Sequence, residues 1–370
     1  MFRLRYSISA SLSRGSAMSA APSSDDLAGL VDIPALERFL DERLGGHVPI
    51  TVWKHTAGYS NVTLFIDRGD QRLVLRRPPT GPLLPSAHDV IREWRFISAL
   101  WGRARVPRPV AACEDSSVIG APFYVMERVN GTEIRDSIPA PYDHPAGRRK
   151  MAEELIDALV EVHAVDWRST DLSAPPTSFA ERQVRRWRRQ WELTRPHTRD
   201  LPDLDRAADW LEAHLPEERE RTIVHGDYKL DNVLFDLQEP KLLAILDWEL
   251  ATLGDPLGDV GWLLSTWGDP RDLERRGTDE DEVLAPSVTL REGFPSRQEL
   301  AQMYAERSGR PLADMHFWLV LAMFKGAVIG EGIYMRYLQG NVTNPQGARM
   351  KDEVPKRVAR LMEVIEAGTV

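Results

Sequence analysis

The chain has 370 residues, 42% of them hydrophobic, which excludes a disordered protein and suits two domains or one large two-lobed unit. Its 56 acidic and 47 basic residues give a net charge of -9, so the whole chain has no electrostatic attraction to nucleic acid or to an anionic membrane. The single cysteine, Cys113, excludes an intrachain disulfide and a zinc site of paired thiolates, and it favours the cytoplasm.

Residues 1–24 have the composition of a leader. They contain three arginines, many serines and alanines, and no acid before Asp25, as organelle transit peptides do. The preferred alternative is an unstructured leader left by a start assigned upstream of Met18. We therefore expect folded structure from Asp25 onward.

The first third of the folded chain predicts a small antiparallel sheet with two helices. Apolar residues at helical spacing before Gly45 predict a helix over residues 33–44, and a cap at Ser86 begins a second over residues 86–100. Runs rich in β-branched and aromatic residues predict strands, two of them joined by a turn. The predicted strands cover residues 50–58, 61–67, 71–77, 117–119 and 122–129.

Beyond Gly131 the sequence predicts a mainly helical region. Two β-like runs, residues 222–224 and 241–246, each lead directly into a cluster of polar residues. The longest apolar run, residues 318–324, is far shorter than the ~20 residues that span a bilayer, so we expect a buried helix there and no transmembrane segment. The helical segments are residues 151–165, the surroundings of Trp187, 204–215, 312–338 and 354–367.

Together these patterns predict an α+β fold in three parts. A disordered leader covers residues 1–24, a sheet-containing N-lobe residues 25–130, and a helical C-lobe with the catalytic and metal-binding loops residues 131–370.

Two polar clusters carry the catalytic signal, VHGDYKLDNVLFD from residue 224 and ILDWELATLGDPLGD from residue 245. Asp227 and Asn232 have the D-x-x-x-x-N spacing of a kinase catalytic loop, in which the carboxylate accepts a hydroxyl proton and the amide oxygen binds Mg²⁺. Asp247, at the end of an apolar strand, is the expected second metal ligand. Lys229, two residues after Asp227, is expected to touch the transferred phosphate.

Phosphoryl transfer needs these residue types because it depends on positioning and charge neutralisation. Hard oxygen ligands hold Mg²⁺ between phosphates, and a carboxylate must lie within hydrogen-bond reach of the acceptor hydroxyl. Each residue taken singly is also a common turn former. Two such clusters, each following an apolar strand, favour a phosphotransferase over ordinary turns.

The chain resembles the aminoglycoside phosphotransferase and choline kinase group of the protein-kinase-like superfamily over residues 48–338. It is most similar to the bacterial phosphotransferases related to the kinase-like domains fused to acyl-CoA dehydrogenases. The matching segments are GYSNVTLFI, VLRRPPTGPLLPSAHDVIREWRFISAL, HGDYKLDNVLF and LDWELATLGDPLGD. The resemblance implies a bilobal kinase-like fold, with a small antiparallel-sheet N-lobe, a large helical C-lobe, and ATP in the cleft between them.

The resemblance also assigns residues to the phosphates of ATP. Ser60 and Asn61, in the segment GYSN, would lie in the loop over the phosphates, although the full G-x-G-x-x-G spacing is absent. Arg76 stands where kinases place a phosphate-binding Lys, with Glu93 as its partner, and an exposed surface pair is the alternative. Strand alternation favours Arg76 over Arg77 on the cleft side.

The adenine-binding connection and the support of the catalytic loop follow from the same resemblance. Backbone groups of Glu127 and Val129 would bind adenine and Met126 would line its pocket, unless Met126 only packs in the core. His225 and Asp259 are expected to support the catalytic loop. Asp255, in the same GDPLGD segment, is expected to be a loop or helix-cap residue instead.

The segment ERQVRRWRRQW, residues 181–191, is the strongest indication of the acceptor. It places five arginines and two tryptophans on one predicted helix, with Trp187 and Trp191 on the same face. Such a helix can bind an anionic group such as the phosphates of coenzyme A, and a solvated surface helix is the alternative. The candidate substrate-binding residues are Arg182, Arg185, Arg186 and Trp187.

The expected cofactors are ATP and Mg²⁺, and the expected partner is a small molecule that carries a hydroxyl. Relatives fused to acyl-CoA dehydrogenases act on hydroxylated acyl-CoA substrates, so the leading expectation is a hydroxyacyl-CoA or its free acid. A basic helix argues against aminoglycosides, which are polycations. An aminoglycoside, choline-like or sugar kinase stays open, as does a non-catalytic pseudokinase, which Asp227, Asn232 and Asp247 disfavour.

Overall fold

The computed structural model describes residues 27, 29–55, 61–80, 88–269, 287–340 and 345–368. Packing divides these into two units, the first drawn from Met1–Val90 and Val110–Arg128, the second from Ile91–Pro109 and Val129–Val370. The stretch Ile91–Pro109 therefore groups with the helical unit, although the sequence division placed it in the N-lobe. The predicted leader, Ser60 and the helix cap Ser86 lie outside the described residues.

The described residues form nine α-helices and nine β-strands. The helices are α1 Ile33–Leu44, α2 Val90–Leu100, α3 Pro145–Ala164, α4 Phe179–Thr194, α5 Pro202–Ala213, α6 Leu257–Ser265, α7 Arg297–Ser308, α8 Met315–Leu338 and α9 Pro345–Ala367. The strands are β1 Ile50–Lys54, β2 Val62–Arg68, β3 Gln71–Arg77, β4 Pro109–Cys113, β5 Phe123–Glu127, β6 Thr222–Val224, β7 Val233–Phe235, β8 Leu242–Ile245 and β9 Thr252–Gly254.

The first unit is built on a five-stranded sheet in the order β1-β2-β3-β5-β4. Helix α1 begins after Asp32, whose carboxylate accepts a hydrogen bond from Ala35 N at 2.9 Å. Its apolar side chains join those of one sheet face in a single core, which includes Leu36, Leu75 and Phe123. Because strand side chains alternate, this core fixes which residues of β3 lie on the opposite face.

The second unit is organised around the long helix α8. This helix is long and apolar enough to cross a membrane, but 72% of its apolar window is buried inside the protein, where it contacts α4, α6 and α9. Gly261 of α6 allows the close approach, since a Cβ there would lie 2.5 Å from the Trp318 carbonyl oxygen. The prediction of a buried helix is confirmed.

The second unit also contains two antiparallel strand pairs, β6–β9 and β7–β8. The polar clusters noted in the sequence follow β6 and β8 directly. The loop after β6 and the loop after β8 therefore both follow paired strands of the same unit.

The predicted α+β fold with a kinase-like architecture is confirmed, and several boundaries match, among them those of α1, β3 and β6. The strand predicted over residues 117–119 is wrong. These residues form a turn, because the Asp115 carboxylate accepts from Ser117 N at 2.8 Å and Gly120 adopts φ 83°. The strand of this region is β4, and its initial Pro109 is tolerated because β4 is an edge strand.

Candidate active site

The loop after β6 is fastened by the imidazole of His225. Its Nδ1 accepts a hydrogen bond from Asp227 N at 3.1 Å, so its proton is on Nε2, which lies 2.8 Å from the Leu246 carbonyl oxygen. The Leu246 amide in turn donates to the Asn232 carbonyl oxygen at 2.8 Å. Two hydrogen bonds, one to the Leu246 carbonyl oxygen and one from the Leu246 amide, therefore join the loop that carries Asp227 to the chain just before Asp247.

Asn232 is oriented by Asp227. Its amide nitrogen donates to the Asp227 backbone oxygen at 2.8 Å and to Asp227 Oδ2 at 2.7 Å. Since the nitrogen is used in this way, Oδ1 is the amide atom that remains for a metal ion. The predicted base and the predicted metal ligand are thus brought together by direct hydrogen bonds.

Lys229 lies beside the same carboxylate. Its Nζ is 3.7 Å from Asp227 Oδ2 and 3.4 Å from Asp231 Oδ2. Burial acts to lower the pKa of Lys229, but Asp227, Asp231 and Asp247 outweigh it and the pKa is raised. Lys229 is therefore held as a cation, and Asp247 is close enough to act on its charge.

Asp247 occupies a left-handed backbone conformation, with φ 65° and ψ 62°. Outside glycine this conformation costs on the order of 1 kcal/mol or more and persists where the surrounding structure enforces it. Here the buried Trp248 holds the turn, since its Nε1 donates to the Ile245 carbonyl oxygen at 3.0 Å. Such backbone strain is expected where the direction of the side chain, here that of Asp247, is needed for function.

Asp259, on α6, supports the loop after β6. Its fully buried carboxylate accepts from His225 N and Gly226 N, each at 2.7 Å. Burial raises the pKa of Asp259, but the hydrogen bond from His163 and the amide of Gly226 outweigh it, so the pKa is lowered and the group stays ionised.

A second layer of hydrogen bonds lies behind that carboxylate. The Nε2 atom of His163 is 3.3 Å from Asp259 Oδ2, and its Nδ1 is 2.8 Å from the hydroxyl of Tyr304. Burial lowers the pKa of His163 and raises that of Tyr304, so both are uncharged. Tyr304 then donates to Nδ1 and His163 donates from Nε2 to Asp259.

Lys325 is a residue that sequence reasoning missed. It lies on α8, is 7% exposed, and donates from Nζ to the Gly226 carbonyl oxygen at 2.6 Å. The ammonium also lies 3.6 Å above the ring of Trp262. The sequence does carry a sign of this residue, because Lys325 directly follows the apolar run that ends at Phe324. A buried helix accommodates a lysine only if its amine has a partner.

The arginines of α4 have different environments. Arg182 donates to the backbone oxygens of Thr177 and Leu253, which ties α4 to β9. Arg185 is exposed and pairs with Glu181. Arg186 stacks over Trp187, with 5.1 Å between the guanidinium carbon and the ring centroid. Arg186 and Trp187 line one pocket with Gly226 and Lys325, and Arg182 and Arg185 do not.

The residues expected to bind ATP fall in both units. In the first, Arg77 is buried and donates to the carbonyl oxygens of Leu30, Pro78 and Ile119, whereas Arg76 lies on the opposite face and donates to Thr63 Oγ1 at 3.1 Å. Of these two arginines, Arg76 is therefore the one on the sheet face that was predicted to bind phosphate.

The other nucleotide-binding candidates are placed as follows. Met126 is buried and pairs with Val74, on the same sheet face as Arg76. Asn61 is buried with its Oδ1 3.0 Å from His88 Nδ1, which orients its side chain. Glu127 ends β5 and is exposed. Glu93 and Val129 belong to the second unit, where Glu93 is buried.

An antiparallel five-stranded unit, and a helical unit that holds Asp227, Asn232 and Asp247 on two joined loops, define a kinase-like phosphotransferase. Residues 51–306 match the model of the phosphotransferase enzyme family. The chain therefore belongs to that family, whose members transfer phosphate to a hydroxyl acceptor.

Individual relatives refine the picture. Acyl-CoA dehydrogenase family member 11 of Rattus norvegicus is 37% identical over 324 residues, covering 84% of this chain and 40% of the relative. A provisionally named aminoglycoside phosphotransferase of Ralstonia eutropha superposes with a TM-score of 0.76 at 32% identity, covering 91% of this chain and 99% of that one. The chain thus spans about 40% of the curated relative and nearly all of the solved one.

A more distant structure also shares the fold. A thermostable variant of the aminoglycoside phosphotransferase APH(4)-Ia, solved with ADP and hygromycin B, has a TM-score of 0.53 at 18% identity and covers 91% of this chain and 99% of its own. ADP and hygromycin B are bound to that neighbour, and its likeness to this chain shows the shared fold.

Proposed function

We propose that this chain is a magnesium- and ATP-dependent kinase that phosphorylates the hydroxyl of a hydroxyacyl-CoA or of the corresponding hydroxy acid. The observation that carries the proposal is the hydrogen-bonded pair of Asp227 and Asn232, backed by Asp259. This pair supports phosphoryl transfer because the proposed base and the proposed metal ligand are held together on one loop.

The donor set suits Mg²⁺, which prefers hard oxygen ligands. Asn232 Oδ1 and the Asp247 carboxylate are the residues that would hold it, and the amide orientation of Asn232 leaves that oxygen available. When bound, the ion would neutralise charge on the transferred phosphate.

Three side chains would act in the transfer step. Asp227 would accept the acceptor's hydroxyl proton as the hydroxyl oxygen bonds to the γ-phosphorus and the bond to the β-phosphate oxygen breaks, with ADP leaving. Lys229, held as a cation, would stabilise the transferred phosphate. Arg76 would hold the remaining phosphates.

The charge around the loop supports an acceptor that is not a polycation. Arg186 and Lys325 line the pocket beside Gly226, next in sequence to Asp227. Two cations disfavour an aminoglycoside there by like-charge repulsion. We also propose a cytoplasmic location, which the single reduced Cys113 supports.

The test is ADP release from Mg-ATP with a panel of hydroxyacyl-CoAs, free hydroxy acids, aminoglycosides and choline. We expect turnover with acyl-type acceptors, and Asp227→Asn should lower kcat by about 10²- to 10⁴-fold while nucleotide binding is retained. Asp236→Asn, in the turn that follows the loop, serves as the control. Turnover only with aminoglycosides or choline contradicts the acceptor, and full activity of Asp227→Asn contradicts the role of the base.

A further inference from the structure

A narrow pocket in the second unit opens beside Gly226. Its walls are largely apolar, with Phe179, Trp318 and Leu321 among them, and its cationic side chains in the described chain are Arg186 and Lys325. It encloses about 30 Å³, which holds roughly two water-sized groups. Only a small group of an acceptor fits inside.

Lys325 has hydrogen-bonding capacity that the protein does not use. An ammonium has three N–H donors, and within the described residues Nζ donates only to the Gly226 carbonyl oxygen. A buried cation is costly unless it is fully hydrogen-bonded. Burial accordingly lowers the pKa of Lys325 to about 8, although Asp227 opposes the change. With one N–H group on Gly226 and another facing the ring of Trp262, the geometry leaves one N–H group for a ligand.

Arg186 is the second cation of this pocket. Its guanidinium stacks on Trp187 and, in the described part of the chain, makes no ion pair or hydrogen bond. Its fork of N–H groups matches a carboxylate bidentately. This distinguishes it from Arg182 and Arg185, which are occupied by backbone oxygens and by Glu181.

Building on the proposed function, we propose that Lys325 and Arg186 bind a carboxylate of the acceptor, so that the preferred substrate is a short free hydroxy acid, not its thioester. The carboxylate would accept from the remaining N–H group of Lys325, and the short chain would lie against the indole of Trp187. Specificity would come from the two cations, because a neutral ester places no negative charge beside them.

The first test measures binding by the whole chain, without nucleotide, of 3-hydroxybutyrate and of its methyl ester, by isothermal titration calorimetry. We expect the acid to bind at least tenfold more tightly than the ester. Lys325→Met, which keeps the apolar stem, should bring the ratio close to one. Arg186→Met should reduce it several-fold, and Arg189→Met, at an exposed position of the same helix, should leave it unchanged.

Three results would overturn the proposal: equal affinity for acid and ester, an unchanged ratio in both pocket variants, or no binding of either compound. If Lys325→Met fails to fold, Arg186→Met decides, because within the described residues Arg186 makes no hydrogen bond or ion pair that the fold would lose, and Met can still pack on Trp187. Parallel ADP-release assays separate this proposal from the kinase function. Carboxylate preference without turnover supports the pocket and contradicts the kinase, whereas turnover without carboxylate preference does the reverse.

Discussion

Replacement of Asp259 by Asn tests whether one buried carboxylate holds the loop after β6 in place. The carboxylate accepts from His225 N and Gly226 N at 2.7 Å and lies 3.3 Å from His163 Nε2. An amide keeps one oxygen, but its NH₂ group then faces at least one N–H donor. Hydrogen bonds to a buried charge contribute about 1.5–3 kcal/mol each, so we expect the free energy of unfolding to fall by roughly 3–5 kcal/mol.

Urea denaturation followed by tryptophan fluorescence measures this loss, and hydrogen exchange of a peptide spanning residues 222–232 localises it. The amides of His225 and Gly226 should exchange faster in the variant. Asp231→Asn, whose half-exposed side chain pairs with Lys229, is the control and should cost less than about 1 kcal/mol.

The pH dependence adds a further check. Because the folded pKa of Asp259 is lowered, its stabilisation is present above the unfolded pKa, near 4, and is lost as pH falls through the folded value. The variant should lose this part of the acid transition. Stability within 1 kcal/mol of the parent, with unchanged amide exchange, would show that the carboxylate is not the anchor.

Two other substitutions test local features. Gly226→Ala places a Cβ 2.6 Å from the Leu250 carbonyl oxygen at φ +81°, and Gly309→Ala has the same kind of φ with nothing within 4 Å. We expect thermal denaturation to show a loss of roughly 1 kcal/mol for Gly309→Ala and more for Gly226→Ala, and equal losses would disprove the steric effect. Burial raises the pKa of Asp255 to about 6, and its Oδ1 accepts a hydrogen bond from Leu257 N, at the start of α6. The folded form then binds the proton more tightly, so stability falls as pH rises from about 4 to 6. Asp255→Asn keeps this hydrogen bond and should stabilise the protein above pH 7, by up to roughly 3 kcal/mol. Equal stability of both forms at pH 7.5 would contradict the raised pKa.

Local sequence carried the parts of the fold that depend on periodicity and on short motifs. The helix α1 and the strand β3 were predicted with their observed bounds, because their apolar spacing and flanking glycines are local signals. Residues 117–119 were misassigned because their β-like composition is overridden by the Asx turn at Asp115. The short helix α6 was not predicted, since Gly258 and Gly261 interrupt its apolar residues and disfavour a helix locally.

The sequence by itself predicted the phosphotransferase class, because the spacing of Asp227 and Asn232 and the position of Asp247 after a strand are properties of the chain order. Only the tertiary structure decided that Arg186 of α4 lines the pocket beside Gly226. It also decided that Lys325 donates to the Gly226 carbonyl oxygen, 99 residues away in the sequence. The physical reason is that the availability of a charged group depends on which partners packing brings to it, and those partners come from distant segments whose contacts no local pattern records.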